Sequence, residues 1–112
     1  MTIPELDILA KAAGLVGFET QLGYIVFPLN NKTISDSEWL VNVVGDILVT
    51  RKVRYNKQLH KISYSINYKV SIDKIDPKEF ALELLDLQKK WNKLNKRQEN
   101  DAMLEQLKKD FE

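Results

Sequence analysis

His60 is the only histidine of the 112-residue chain, and no other side chain ordinarily titrates near neutrality, so acid–base chemistry would start there. A catalytic imidazole needs a partner within reach and a wall that excludes water. His60 instead falls among Arg54, Lys57 and Lys61 at the tip of an expected hairpin, and reads as a turn or surface residue. The chain has no cysteine, which removes thiolate nucleophiles, disulfides and cysteine-based zinc sites. Glu79, Glu83 and Asp86 interleave with Phe80, Leu84 and Leu87, as the solvated face and acidic first turn of an amphipathic helix do, rather than as a metal-ligand set. The serine-hydrolase elbow, the zinc-protease helix, the phosphate-cradling glycine loop and the EF-hand loop are all missing from the sequence. We expect a protein that is not an enzyme and needs no metal or cofactor.

What remains is charge and apolar contact. Lysine and arginine number 17 against 16 acids, but residues 1–46 hold two cations and six anions, 47–75 seven and one, and 76–112 eight and nine. The basic part centres on Arg51–Lys61, where Arg51, Lys52, Arg54, Lys57 and Lys61 stand with no acid among them. On a strand pair, Lys52, Arg54, Lys61 and Lys69 share one face. Such a face can guard an exposed strand against aggregation, dock an acidic protein, or lie along phosphates. Tyr64 and Tyr68 fall on the apolar parity, where they would pack rather than stack on bases, so an acidic protein is the first partner expected and nucleic acid the second. The residues expected to meet that partner are Arg51, Lys52, Arg54, Lys57, His60 and Lys61.

A second feature is the tail, residues 101–112, whose Met103, Leu104, Leu107 and Phe111 recur at helical spacing. It either packs back on its own sheet or offers a face for a partner or a second copy, making a homodimer possible. Trp39 and Trp91 are in phase with apolar stripes and are expected in the core.

The elements that would carry these residues follow from patterning. Thr2-Ile-Pro-Glu5 has capping-box spacing before Leu6, Leu9, Ala10 and Ala13, and Gly14 suits a left-handed helix end. Residues 22–29 are apolar on both parities, a strand covered on both faces until Pro28, with Asn30-Asn31 as a turn. Ser35-Asp-Ser-Glu38 could cap a helix over 36–45, but the β-branched run Val41, Val43, Val44, Ile47, Val49, Thr50 and Val53 favours strands at 39–44 and 47–55 joined at Gly45-Asp46. Residues 61–73 alternate cleanly, with Ile62, Tyr64, Ile66, Tyr68, Val70 and Ile72 on one face. A turn at Asn56–Leu59 would set Val53 opposite Ile62, Val49 opposite Ile66 and Ile47 opposite Tyr68. At ~3.3 Å per residue the last strand would reach about 40 Å, so the hairpin must coil or extend past its covering helices. Asp76-Pro77 opens a helix whose stripe Phe80, Leu84, Leu87, Trp91, Leu94 then loses phase, which suggests a break near 95–101 before a short terminal helix.

The expected fold is a single α+β domain over 1–112: an N-terminal helix, a four-stranded antiparallel meander, a C-terminal helix and a short terminal helix, the helices on one face of the sheet. No apolar run is long enough to cross a bilayer, and the first residues lack the pattern of a secretory signal, so a cytoplasmic protein is expected. Lysine supplies 14 of the 17 cations and asparagine is common, a bias that fits an AT-rich phage or mobile-element origin.

Overall fold

Thr2 opens the first helix as its spacing predicts. In the computed structural model, which describes residues 1–28 and 37–111, its hydroxyl accepts the Glu5 N–H and the Glu5 carboxylate accepts the Thr2 N–H at 3.1 Å. Helix α1 (Ile3–Ala12) ends at Gly14, whose φ of +78° turns the chain into strand β1 (Leu15–Glu19).

Strand β1 was not expected, and it makes the sheet five-stranded rather than four-stranded. It is short and centred on Gly17, a residue that weakens a strand pattern. The glycine has a cause: a Cβ there would overlap the Tyr24 ring, which crosses the strand so that its hydroxyl donates to Asp7 on α1. Strands β2 (Gly23–Pro28), β3 (Val41–Val44), β4 (Ile47–Asn56) and β5 (Lys61–Ser71) complete an antiparallel meander in chain order. Residues 41–44 are strand, and Gly45, at φ +60°, turns β3 into β4. The turn at Asn30-Asn31 and the first half of the Ser35–Glu38 cap lie outside the described residues.

Two features of the β4–β5 pairing differ from expectation. The turn sits later, because the Asn56 side chain accepts the N–H groups of Gln58 and Leu59 at 3.0 Å and His60 takes φ +52° before Asn56 pairs with Lys61. Val53 therefore faces Tyr64, not Ile62. The register also shifts between Thr50 and Arg51. Because side chains alternate with period two, that shift moves burial on β4 from odd positions (Val53) to even ones (Thr50, Leu48), leaving Ile47 46% exposed.

After a 3₁₀ turn at Ile72–Lys74, Asp76 accepts the Lys78 N–H at 3.2 Å and starts α2 (Pro77–Asp110). This helix is continuous for 34 residues, so the expected break and separate terminal helix are absent. Helices α1 and α2 cover one face, where Leu6, Ala10, Val26, Val43, Leu48, Phe80, Leu84 and Trp91 form the core. The architecture is α+β, drawn out to 56 × 26 × 21 Å by α2.

Candidate interaction face

The distal β4–β5 ribbon has two unlike sides. Toward α2, Val53 and Ile62 join the core beside Trp91, whose indole N–H donates to the Tyr64 hydroxyl at 3.0 Å. Two turns farther along the same helical stripe, past Leu94, apolar residues give way to polar ones. Gln98 accepts the Ile62 N–H at 2.9 Å, and Asp101 accepts the Tyr55 hydroxyl. His60 Nδ1 lies 3.3 Å from the Asp101 carboxylate and Nε2 3.8 Å from Glu105, while the Arg97 guanidinium sits 4.1 Å over the Tyr55 ring. The Tyr55 hydrogen bond, with a smaller contribution from His60, holds Asp101 below its ordinary value. Burial and Asp101 push the Tyr55 phenol up.

Helix and ribbon thus run together to the ribbon tip. The hairpin does not extend past its covering helix; the helix outruns the hairpin. The stripe Trp91, Leu94, Gln98, Asp101 keeps its three-and-four spacing through the point where apolarity stops. That spacing was the available signal for the Gln98 and Asp101 contacts, which a search for apolar residues alone passes over.

The opposite side is cationic. By register Lys52 pairs with Ser65, Arg54 with Ser63, Lys61 with Asn56 and Lys69 with Val49, so these cations share the face turned away from α2, and Lys57 projects from the turn. Lys52, Arg54, Lys57, Lys61 and Lys69 make no ion pair with any described acid. Lys69 extends the set named from sequence. Two members of that set are drawn inward: Arg51 donates to the Ser37 carbonyl at 2.8 Å and stacks 3.7 Å over Trp39, and His60 faces α2. Trp39 is only partly buried, a stacking partner rather than a core residue, whereas Trp91 is core.

The same outward face becomes apolar toward β3 and the start of β4, through Val49, Ile47 and Val44, and none of its described strand residues is acidic. At the far end of α2, Met103, Leu104, Leu107 and Phe111 are exposed, Phe111 to 88%, so the tail does not pack back on the sheet.

Among the described residues no three His, Cys, Asp or Glu side chains cluster to hold a metal ion, and no helix is long and apolar enough to cross a membrane. Compared with known proteins, the chain matches no family model, no curated protein and no solved structure.

Proposed function

We propose that the protein is a non-enzymatic binding module that docks on an acidic protein through the outer face of the β4–β5 ribbon. Lys52, Arg54, Lys57 and Lys61 steer the encounter, and Lys69 adds to the field. The observation that carries this reading is the division of the ribbon: one side is fastened to α2, and the other holds cations with no described counter-charge. Unpaired cations of one sign raise association rates and reject wrong partners more than they add affinity. The neighbouring Val44, Ile47 and Val49 offer apolar area of the kind found at interface centres. The exposed tail gives a second apolar surface, for the same partner or for a second copy. The lack of cysteine suits a reducing compartment such as the cytoplasm.

Nucleic acid is the second reading, favoured by clustered cations that could release counterions from phosphates. Against it, the cationic stretch carries serine and asparagine between its lysines and no aromatic ring on which a base could stack, since Tyr64 is engaged with Trp91 on the other side. The test is capture from nuclease-treated host lysate on wild-type protein and on a K52E/R54E/K61E variant, beside anisotropy titrations with labelled duplex and single-stranded DNA and RNA at low salt. An acidic protein retained by the wild type and lost by the variant supports docking. Binding to nucleic acid that weakens by orders of magnitude toward physiological salt, with no protein retained, overturns it.

A further inference from the structure

Where the β4–β5 register shifts, a cleft of about 190 Å³ opens between the sheet and α2. Its floor is apolar, with Val41, Val53, Phe80, Leu84 and Leu87, and the rest of its lining is polar, with Arg51, Lys52, Asn67, Asp86 and Lys90. Its polar corner is Thr50, Tyr68 and Glu83. Thr50 is only 4% exposed and its hydroxyl has no hydrogen-bond partner. The Tyr68 hydroxyl passes near enough to feel Thr50 but makes no hydrogen bond of ordinary geometry with it, and donates to Glu83 Oε2 at 2.5 Å instead. Burial and the Glu83 charge keep the Tyr68 phenol protonated well beyond neutral pH.

The corner therefore presents three oxygens with lone pairs to spare, one of them on a carboxylate. The other charges around the cleft are engaged or turned away: Asp86 pairs with Lys90 at 3.0 Å, Arg51 is held by the Ser37 carbonyl and the Trp39 ring, and Lys52 belongs to the outer face. Glu83 has no ion pair among the described residues.

We propose that this cleft binds a small primary amine, its ammonium in the Thr50–Tyr68–Glu83 corner and its apolar body against Phe80, Leu84 and Leu87. An ammonium offers three donors and no acceptor, which matches a corner of acceptors. An apolar cavity of about 150 Å³ holds one benzene ring, so this cleft has room for one ring on a short aminoalkyl stem. The cleft lies between the sheet and α2 and shares Lys52 with the docking face, but its proposed ligand contacts are Thr50, Tyr68 and Glu83, so either reading can fail without the other.

Benzylamine, benzyl alcohol and benzoate, titrated separately into the ¹⁵N-labelled full chain, test it by amide chemical shifts. Benzylamine is expected to give saturable shifts at Thr50, Tyr68, Phe80 and Glu83, with benzyl alcohol about tenfold weaker, as loss of one charge-assisted hydrogen bond implies, and benzoate without effect. Glu83→Gln, and separately Thr50→Val, should each weaken benzylamine while leaving the remaining amide spectrum folded. No saturable shift with any probe, equal binding of the amine and the alcohol, or unchanged benzylamine binding in both variants overturns the proposal; the first of these means that the cleft holds water only.

Discussion

Replacing Trp91 with alanine removes the side chain that joins the distal ribbon to α2. Trp91 is 3% exposed, lies in the core cluster with Val53 and Ile62, and donates to the Tyr64 hydroxyl. Truncating a buried tryptophan to alanine costs about 3–5 kcal/mol in lost burial and residual cavity. The Tyr64 hydroxyl, which water can reach once the indole is gone, adds less than about 1 kcal/mol. At roughly 4–8 °C per kcal/mol for a domain near this size, the melting midpoint should fall by about 12–40 °C. Trp39 supplies the internal comparison, since it is half-buried and its main contact is the Arg51 guanidinium 3.7 Å away. Trp39→Ala should cost only about 1–2 kcal/mol. Urea unfolding of both variants, followed by circular dichroism, reads the difference. A loss below about 1 kcal/mol for Trp91→Ala, or equal losses for the two, would refute the idea that α2 carries the ribbon through this residue.

Other outcomes follow from single contacts. Gly17→Ala places a methyl group in the space of the Tyr24 ring and should cost about 1–3 kcal/mol by chemical denaturation, whereas Gly45→Ala, in open space at φ +60°, should cost about 1 kcal/mol of backbone strain alone. Tyr24, Tyr55, Tyr64 and Tyr68 all hold their protons more tightly in the folded chain, chiefly through burial, so their contribution is whole below the ordinary value of 10.0 and is lost as pH climbs through the raised values. Asp7 and Asp101 are lowered, mainly by hydrogen bonds from Tyr24 and Tyr55, so their contribution is whole above 3.8 and is lost as pH falls through the lowered values; melting curves across both limits, with phenolate absorbance at the alkaline one, check the two signs. Truncation after Glu105 should leave the midpoint unchanged and lower any oligomeric mass seen by light scattering, while truncation before Asp101 should lower the midpoint by releasing the ribbon tip.

The sequence carried its local signals well and its long-range ones less so. Capping at Thr2 and Asp76, the Gly45 turn and the alternation of β5 act within a few residues and are readable there. The β4–β5 register depends on where Asn56 starts its turn and on a shift at Thr50/Arg51, and a strand of mixed apolar residues such as Ile47-Leu48-Val49 reads equally well on either parity. Strand β1 was hidden by Gly17, whose reason is a tyrosine on the neighbouring strand. The unbroken α2 was obscured because its later contacts are polar: Gln98 and Asp101 occupy the stripe positions that apolar residues fill earlier, and bind a peptide N–H and a phenol instead of packing. Of the six residues expected on the partner face, Lys52, Arg54, Lys57 and Lys61 lie outward, while Arg51 is drawn to the Ser37 carbonyl and His60 to Asp101.

The most direct measurement is the association rate of the captured acidic protein with the wild type and with the K52E/R54E/K61E variant, taken by stopped flow at several salt concentrations beside a melting curve of each. The expected result is a rate lower by about tenfold or more in the variant, a gap that closes as salt rises, and an unchanged melting midpoint. Equal rates at low salt, or a slower rate accompanied by a collapse of the melting midpoint, would mean that these cations serve the fold or the solvent rather than a partner.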